Sequence, residues 1–472
     1  MEDSVKKELP KVPPESPSGV RDYPPSEMIP RLAMIATVRD VFKRFGFDPL
    51  ETPAIERLDS LTGRDPEFDM TLYSARLRGK KVVAESDTAL RFDLTVPLAR
   101  FIAANPETPK PFKRYQWGNV WRGEKVQKGR YREFMQFDAD IVGARTVQAD
   151  VEIIWIIAET LSALDVGSFT VRFNNRKVLN GLPDFVGFDS SLITRVLKSL
   201  DKFDKVGWKG VESELRWTTT DGRVLVEGEI LLEGDVLAFN DEQIEKFKVF
   251  AYLVDDDPLA LLAKAKVLLT SDIAQEGIAE LQEMVEALKA IKLNKELWKL
   301  DFSVARGLGY YTGPVFEAIL DDMPGIGSVF SGGRYDGLVS RFSDLEIPCT
   351  GASIGIDRLF AALKEMGKIE LQQTETQALI MVLDKKFMSD YNAIARELRD
   401  AGVRTTIYFG EERSFKGQLA FGLKQGVPII IIVGEKEIEN GVVAVKFTRD
   451  RKQESLDRKN FVSVIYDYLS GN

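Results

Sequence analysis

Arg122, Arg130 and Arg132 lie at the two ends of a short charged loop, each close to aromatic residues. Trp117, Val120 and Trp121 precede the loop, and Phe134, Phe137, Ile141 and Val142 follow it. The middle runs from Gly123 to Gly129 and reads GEKVQKG. From Lys113 to Arg132 there are seven Lys/Arg residues and one Glu. Two apolar flanks joined in this way predict an antiparallel hairpin with a cationic loop. Arginine at strand ends suits a phosphate, because the planar guanidinium donates two parallel hydrogen bonds to its oxygens. A solvated surface hairpin with ordinary charges is the alternative, and the hairpin alone leaves the two readings level.

A gap in composition bounds the chemistry further. The 472 residues include no histidine and one cysteine, Cys349. The usual general base near neutral pH is therefore missing. No internal disulfide can form, and no Cys/His metal cluster is available. Catalysis must rest on positioning, arginines, carboxylates or a metal held by oxygens. Cys349 is expected to be a small buried hydrophobe. The net charge of −9 argues against a general nucleic-acid coat, while a local basic patch stays possible. An apolar content of 44% and a charged content of 29% describe a soluble globular protein. The length fits roughly two to four domains. The N-terminus is polar and proline-rich, without an apolar signal core. The longest aliphatic run, Val427 to Val433, is too short to span a membrane, so a cytoplasmic location is expected.

The elements that must position these groups are readable from periodicity. Leu32, Ile35, Val38, Phe42 and Phe45 form one helical stripe, closed by Gly46, and FDPLETPAI follows as an extended segment. Residues 80–100 predict two strands around Lys81–Val83 and Leu90–Leu94, with Asp93 inside the second and a helix from Pro97. A helix over 148–164 and a strand ending at Asn174-Asn175-Arg176 come after the hairpin. Residues 185–285 carry none of the motifs below; a strand is expected at 223–233, and Ile278, Leu281, Val285 and Leu288 mark a helix. Leu300, Phe302 and Val304 alternate along a strand ended by Arg306. Gly325, Gly327, Gly332 and Gly333 allow either close backbone approach to a ligand or tight hairpins. Arg358 falls in the first turn of a helix beginning near Ile356. After a polar linker, strands at 378–383, 403–408, 427–433 and 442–447 alternate with helices at 387–401 and 414–425. That order predicts a small parallel or mixed sheet with helices on both faces.

Arg122-Gly-Glu124 and Gly129-Arg-Tyr-Arg-Glu-Phe134 resemble motif 2 of class II aminoacyl-tRNA synthetases. The longer string GRYREFMQFDADIVG is similar to histidyl-tRNA synthetases, notably a divergent alphaproteobacterial branch. ALRFDLTVPLAR (89–100), ARGLGYYTGPVFE (305–317), SGGRYDGLVSRF (331–342) and GASIGIDRL (351–359) agree in content and order, so the resemblance covers nearly the whole chain. Gly309, where the family usually has a carboxylate, Met135, where many members have histidine, and Lys125-Val126 in the loop depart from the common pattern.

The resemblance implies an α+β catalytic core with an antiparallel sheet, a helix-rich insertion and a C-terminal α/β domain. A flexible tail would occupy 1–18, the core 19–184 and 286–366, the insertion 185–285, a linker 367–377 and an anticodon-binding-like domain 378–472. It implies activation of L-histidine by ATP, Mg²⁺ arriving with ATP rather than in a preformed metal site, and transfer to tRNA(His). Arg122 and Arg306 would be catalytic. Arg122, Glu124, Arg130 and Arg358 would bind ATP. Asp93, Thr95, Gln136, Asp140, Tyr310 and Tyr311 would bind histidine. The helix before Gly46 and Pro53 resemble motif 1, which implies a homodimer; an amphipathic helix packed on its own core fits the pattern equally. The rival reading is a histidine-sensing paralogue without catalysis, the regulatory subunit of ATP phosphoribosyltransferase. Members of that group typically lack the anticodon domain and lose phosphate-binding arginines, whereas this chain keeps Arg122, Arg306 and Arg358.

Overall fold

The structure, a computed structural model, describes residues 12–63, 69–77, 86–216, 224–226, 229–231, 237–305 and 310–471. It divides into two compact units, residues 1–21 with 34–368, and residues 22–33 with 369–472.

Helix α1 (Pro25–Arg44) buries Met34, Ile35, Val38, Val41 and Phe42, and Gly46 follows it at φ +74°. Leu32, expected on the same stripe, is 49% exposed. At 3.6 residues per turn it falls roughly 120° from the stripe's centre. Strand β1 (Asp48–Pro49) is followed by a small three-stranded sheet of β2 (Ile55–Arg57), β3 (Ser74–Ala75) and β4 (Thr88–Leu90). β4 stops at Leu90, so Asp93 is not inside a strand as its alternating neighbours suggest. It stands just ahead of α2 (Thr95–Ala104), where its Oδ1 accepts the Val96 N–H at 3.0 Å. That bond satisfies a backbone donor left open at the helix start. Lys81–Val83 and Arg306 lie outside the described residues.

The charged loop is flanked by β5 (Phe112–Trp121) and β6 (Glu133–Val142), paired antiparallel along their whole length. Next come α3 (Gln148–Ala163), β7 (Phe169–Asn175) and α4 (Arg176–Asn180). The segment that carries no motif is mostly helical: α5 (Ile193–Leu200), α6 (Phe203–Leu215), α7 (Asp241–Ala251), α8 (Pro258–Leu268) and α9 (Asp272–Ala290). Within it the expected single strand is two short paired strands, β8 (Val224–Val226) and β9 (Glu229–Leu231). Glu280 of α9 receives Asn175 Nδ2 and Lys177 Nζ, both at 2.6 Å, which ties that helix to the end of β7.

β10 (Trp298–Leu300), β11 (Pro314–Leu320), β12 (Phe330–Arg334) and β13 (Cys349–Gly355) then complete an eight-stranded sheet, and α10 (Ile356–Glu365) leaves β13 directly. The strand order is β1-β5-β6-β13-β12-β11-β7-β10, antiparallel from β5 to β7 with one parallel strand added at each edge. β10 is shorter than the alternation of Leu300, Phe302 and Val304 predicts, although all three are buried. Gly332 and Gly333 sit inside β12 and not in a hairpin.

The sheet's two faces follow from the period of two. Phe137 on β6 packs edge-on against Phe42 of α1, with ring centres 5.0 Å apart. Gln136, Asp138 and Asp140 therefore point to the other face. Across the ladders Asp140 is level with Arg114 and Gly351, and Asp138 with Gln116 and Ser353.

The second unit holds β14 (Ala378–Ile380), α11 (Met388–Asp400), β15 (Thr405–Ile407), α12 (Phe415–Lys424), β16 (Ile429–Ile432), β17 (Val442–Phe447), β18 (Lys452–Asp457) and α13 (Phe461–Ser470). Its sheet runs β15-β14-β16-β17-β18, the first three strands parallel and the last two antiparallel. Ile429–Ile432 is buried throughout, as a strand covered on both faces must be.

Candidate active site

A cavity of about 500 Å³ opens on the sheet face that carries Gln136, Asp138 and Asp140. Asp93, Thr95, Gln136, Asp140, Tyr310 and Tyr311 line it, and so do Arg122, Arg130 and Arg358. A smaller pocket of about 130 Å³ shares Arg122, Arg130, Gln136 and Arg358 and adds Glu124. The structure thus gathers every candidate residue that it describes; Arg306 is outside the described residues.

One side of the cavity is acidic and closely packed. Asp93 accepts the Tyr310 hydroxyl at 3.3 Å in addition to its bond with the Val96 N–H. Asp140 pairs with Arg114 at 2.8 Å and accepts the hydroxyl of Tyr335. Arg114 is fully buried and also donates to the Leu94 carbonyl at 3.0 Å. The glycines next to this group are there for space. A Cβ on Gly351 would lie 2.0 Å from the Asp140 carboxylate, and one on Gly333 would lie 2.8 Å from the Tyr311 ring. The close approach expected of the Gly332-Gly333 pair is therefore made in part by the protein's own side chains.

Burial pushes the Asp138 carboxyl up to about 7; Arg114 opposes the rise and Asp140 adds to it. Asp140 is raised by burial too, against the pull of Arg114 and the Tyr335 hydrogen bond. Burial also raises the phenols of Tyr310 and Tyr311, whose rings meet edge-to-face with centres 5.0 Å apart. Both stay protonated and can donate. Cys349 is buried, with its thiol raised by burial, as a packing cysteine should be.

The other side is cationic. Arg122 is steered by its Nε donation to the Phe92 carbonyl at 3.0 Å, with its guanidinium 5.3 Å from the centre of the Phe134 ring. Arg130 pairs with Glu124 across the loop. Arg358 donates to the Ser328 carbonyl at 2.7 Å. Its neighbour Asp357 accepts the Met135 N–H at 2.6 Å, which fastens α10 to β6. Two of the seven cations between Lys113 and Arg132 are not on the loop. Lys113 and Arg114 begin β5, where Lys113 pairs with Glu152 and Arg114 with Asp140. The loop's cationic character comes from the other five.

Several lining residues escape a reading of the sequence. Asp138 lies within the quoted FDADIVG string, and its spacing of two from Gln136 and Asp140 is a signal that a strand would place it beside them. Tyr335 stands in GGRYDG and Arg176 in NNR. Lys198, Asp201 and Lys205 reach the cavity from the helical segment with no local signature. Among the described residues no group of three or more Asp, Glu, Cys or His could hold a metal ion.

A sequence family described as histidyl-tRNA synthetase matches residues 19–359, which include every residue of both pockets. The chain belongs to the histidyl-tRNA synthetase family. A second family, described as an anticodon binding domain, matches residues 377–467 of this histidyl-tRNA synthetase relative. The histidine–tRNA ligase of Rhodopirellula baltica is 39% identical over 92% of this chain and 93% of its own length. That of Paracoccus denitrificans is 39% identical over 94% of this chain and 91% of its own. The crystal structure of histidyl-tRNA synthetase from Nostoc sp. PCC 7120 superposes with a TM-score of 0.79 at 29% identity, covering 97% of this chain and all of that one.

Proposed function

We propose that this protein is a histidine–tRNA ligase that activates L-histidine with ATP and transfers the histidyl group to tRNA(His). The observation that carries the reading is the polarity of one cavity: buried carboxyl groups and tyrosines on one side, arginines on the other. A zwitterionic amino acid with a polar ring fits the first side, and a triphosphate fits the second. The substrate carboxylate attacks the α-phosphate of ATP, which gives histidyl-adenylate and releases pyrophosphate. The terminal ribose of the tRNA then attacks the adenylate carbonyl. Negative charge grows on phosphate oxygens in the first step, so fixed cations lower its barrier.

In this scheme Arg122 grips the α-phosphate, with Arg306 approaching it from the opposite side. Arg130 and Arg358 take the outer phosphates, and Glu124 faces the adenine side. Asp93, Thr95 and Gln136 hold the α-amino group. Tyr311 and Asp140 lie at the imidazole end. Mg²⁺ arrives with ATP, held mainly by its phosphates. No histidine base is required, because the substrate's own carboxylate is the nucleophile. The domain boundaries are those expected above, with residues 378–472 reading the anticodon. The protein acts as a cytoplasmic homodimer built on α1 and the Pro53 segment; light scattering that finds only monomer would overturn the dimer. No described helix is long and apolar enough to cross a membrane.

The test is pyrophosphate exchange with each of the twenty amino acids. Exchange with histidine alone is expected. Histidine binding without exchange would instead favour a sensing paralogue, and exchange with another amino acid would refute the specificity.

A further inference from the structure

The polar N-terminal stretch ends in a turn over residues 17–20, closed by the Val20 N–H on the Pro17 carbonyl at 3.0 Å. The turn lies against the charged loop and belongs to the same compact unit as the hairpin. β13 pairs with β6 only as far back as Gln136. Ahead of that point the Met135 N–H goes to Asp357, and the Gly19 carbonyl accepts the Arg132 N–H at 2.8 Å and the Glu133 N–H at 3.5 Å. Gly19 has φ +82°, and a Cβ there would lie 2.7 Å from Cγ of Arg132 and 2.9 Å from Cγ2 of Val126. Only glycine lets the backbone sit so close to the loop in this conformation. Two residues on, Arg21 donates through Nη1 to the Tyr131 hydroxyl at 3.2 Å, with its guanidinium 5.6 Å from the centre of that ring.

Tyr131 carries this contact to the chemistry. It lines the smaller pocket together with Arg122, Glu124, Arg130 and Arg358. Arg21 lines neither pocket, so it can act there only through another residue. Among the described residues the loop has little regular structure of its own: one bridge, Gln127 to Arg130, and a bond from the Gly123 N–H to the Thr71 carbonyl at 2.7 Å. Such a loop loses conformational freedom when it closes on a phosphate. Holding it in place beforehand spares the ligand part of that cost. Resting on the histidine–tRNA ligase reading, we propose that residues 19–21 are a clasp that holds the loop in its ATP-binding pose, with Arg21 a positioning residue that acts on the nucleotide through Tyr131. None of the three lines the larger cavity, so the effect falls on ATP and spares histidine.

Arg21→Ala removes the side chain and leaves the turn. In pyrophosphate exchange it should raise the ATP KM about fivefold or more and leave the histidine KM within about twofold. The melting temperature should stay within a few degrees. Arg21→Lys keeps a donor and a charge over the ring, and should recover most of the loss. In a Tyr131→Ala background, Arg21→Ala should change the ATP KM by less than about twofold, because its route to the pocket is gone. A second measurement needs no substrate. Amide hydrogen exchange over residues 123–131 should be about fivefold faster or more in Arg21→Ala, with the rest of β5 and β6 unchanged. Wild-type amide exchange in that loop overturns the proposal, and so does an ATP KM that stays at its wild-type value. Equal rises in both KM values with a fall in melting temperature also overturn it, because that is the mark of a general structural contact. A full further loss in the Tyr131→Ala background refutes the route through Tyr131. If the wild type shows no histidine-dependent pyrophosphate exchange, it is the ligase reading that fails, and the amide measurement still decides the clasp.

Discussion

Two buried arginine–carboxylate groups sit on the same sheet, and they are built to different ends. Arg334, at the end of β12, donates to Asp150 through Nε at 3.1 Å and again through Nη2. Its remaining donors go to the Ala144 carbonyl at 2.9 Å and the Thr146 carbonyl at 3.0 Å. Asp150 is the cation's closest carboxyl, with Asp336 farther off at 3.6 Å, and the segment between β6 and α3 is anchored by the group. Around Arg114 the balance is different: Asp93, Asp138 and Asp140 line the cavity wall, and one fully buried guanidinium behind it pairs with Asp140. Burial is the chief cause that raises both Asp150, to about 6, and Asp138, to about 7. Asp150 has its own arginine; Asp138 shares one with Asp140. Arg334 places its donors on Asp150 and two backbone carbonyls, whereas Nε and Nη1 of Arg114 have no acceptor among the described residues.

The comparison can be broken most directly at the structural pair. Asp150→Ala leaves the Arg334 guanidinium buried without its partner and should cost about 3–5 kcal/mol, measured by urea unfolding. Exchange activity per folded molecule should be nearly kept. The opposite pattern, stable protein with lost activity, would mean that this pair belongs to the site after all. On the ligand side, Arg122→Ala should lower kcat for exchange by about a hundredfold or more and leave the melting temperature within a few degrees, because a transition-state cation is removed. A protein that unfolds instead would place Arg122 with the structural group. Gly351→Ala tests the border between the two. Its Cβ would sit 2.0 Å from the Asp140 carboxylate, so the Arg114–Asp140–Tyr335 group must shift. Roughly 2 kcal/mol of stability should be lost, as in other overpacked sites. The histidine KM should rise with it, since both effects share one cause. A rise in KM without any loss of stability would separate the pocket from its support.

The same contrast explains how far the sequence can be read. The hairpin of β5 and β6 is legible because its apolar residues alternate on both sides of a charged loop. The C-terminal alternation of strands and helices is legible for a similar reason, although the charged stretch from Arg449 to Lys459 hides β18 and cuts α13 off from the pattern. Asp93 is identifiable as a site residue, but its element is not. Leu90, Phe92 and Leu94 alternate as in a strand, whereas the chain turns after Leu90 so that the Asp93 side chain can take the Val96 N–H. Arg114 reads as one of the loop's cations because its charge is visible in the sequence and its burial is not. Asp138 escapes notice for a related reason. Its meaning depends on which residues of β13 stand level with it, and that register is set by pairing over a distance of more than two hundred residues.

The smallest expected effect tests the shared charge directly, through stability and with no substrate present. An unfolded aspartate titrates near 3.9, whereas buried Asp138 is raised to about 7. Between those values the folded state binds more protons than the unfolded state, so stability falls as pH rises through the window. Asp150, raised to about 6, contributes with the same sign over a lower range, and other groups add their own slopes. Asp138→Asn removes one contributor and leaves the others common to both proteins, so the informative quantity is the difference between the two curves. From pH 5 to pH 8 the wild type should lose about 1 kcal/mol or more relative to the variant, since each tenfold difference in proton affinity between folded and unfolded states is worth about 1.4 kcal/mol. Parallel curves for the two proteins would show that Asp138 holds its proton no more tightly in the folded state than in the unfolded one, and the electrostatic contrast between the two groups would be lost.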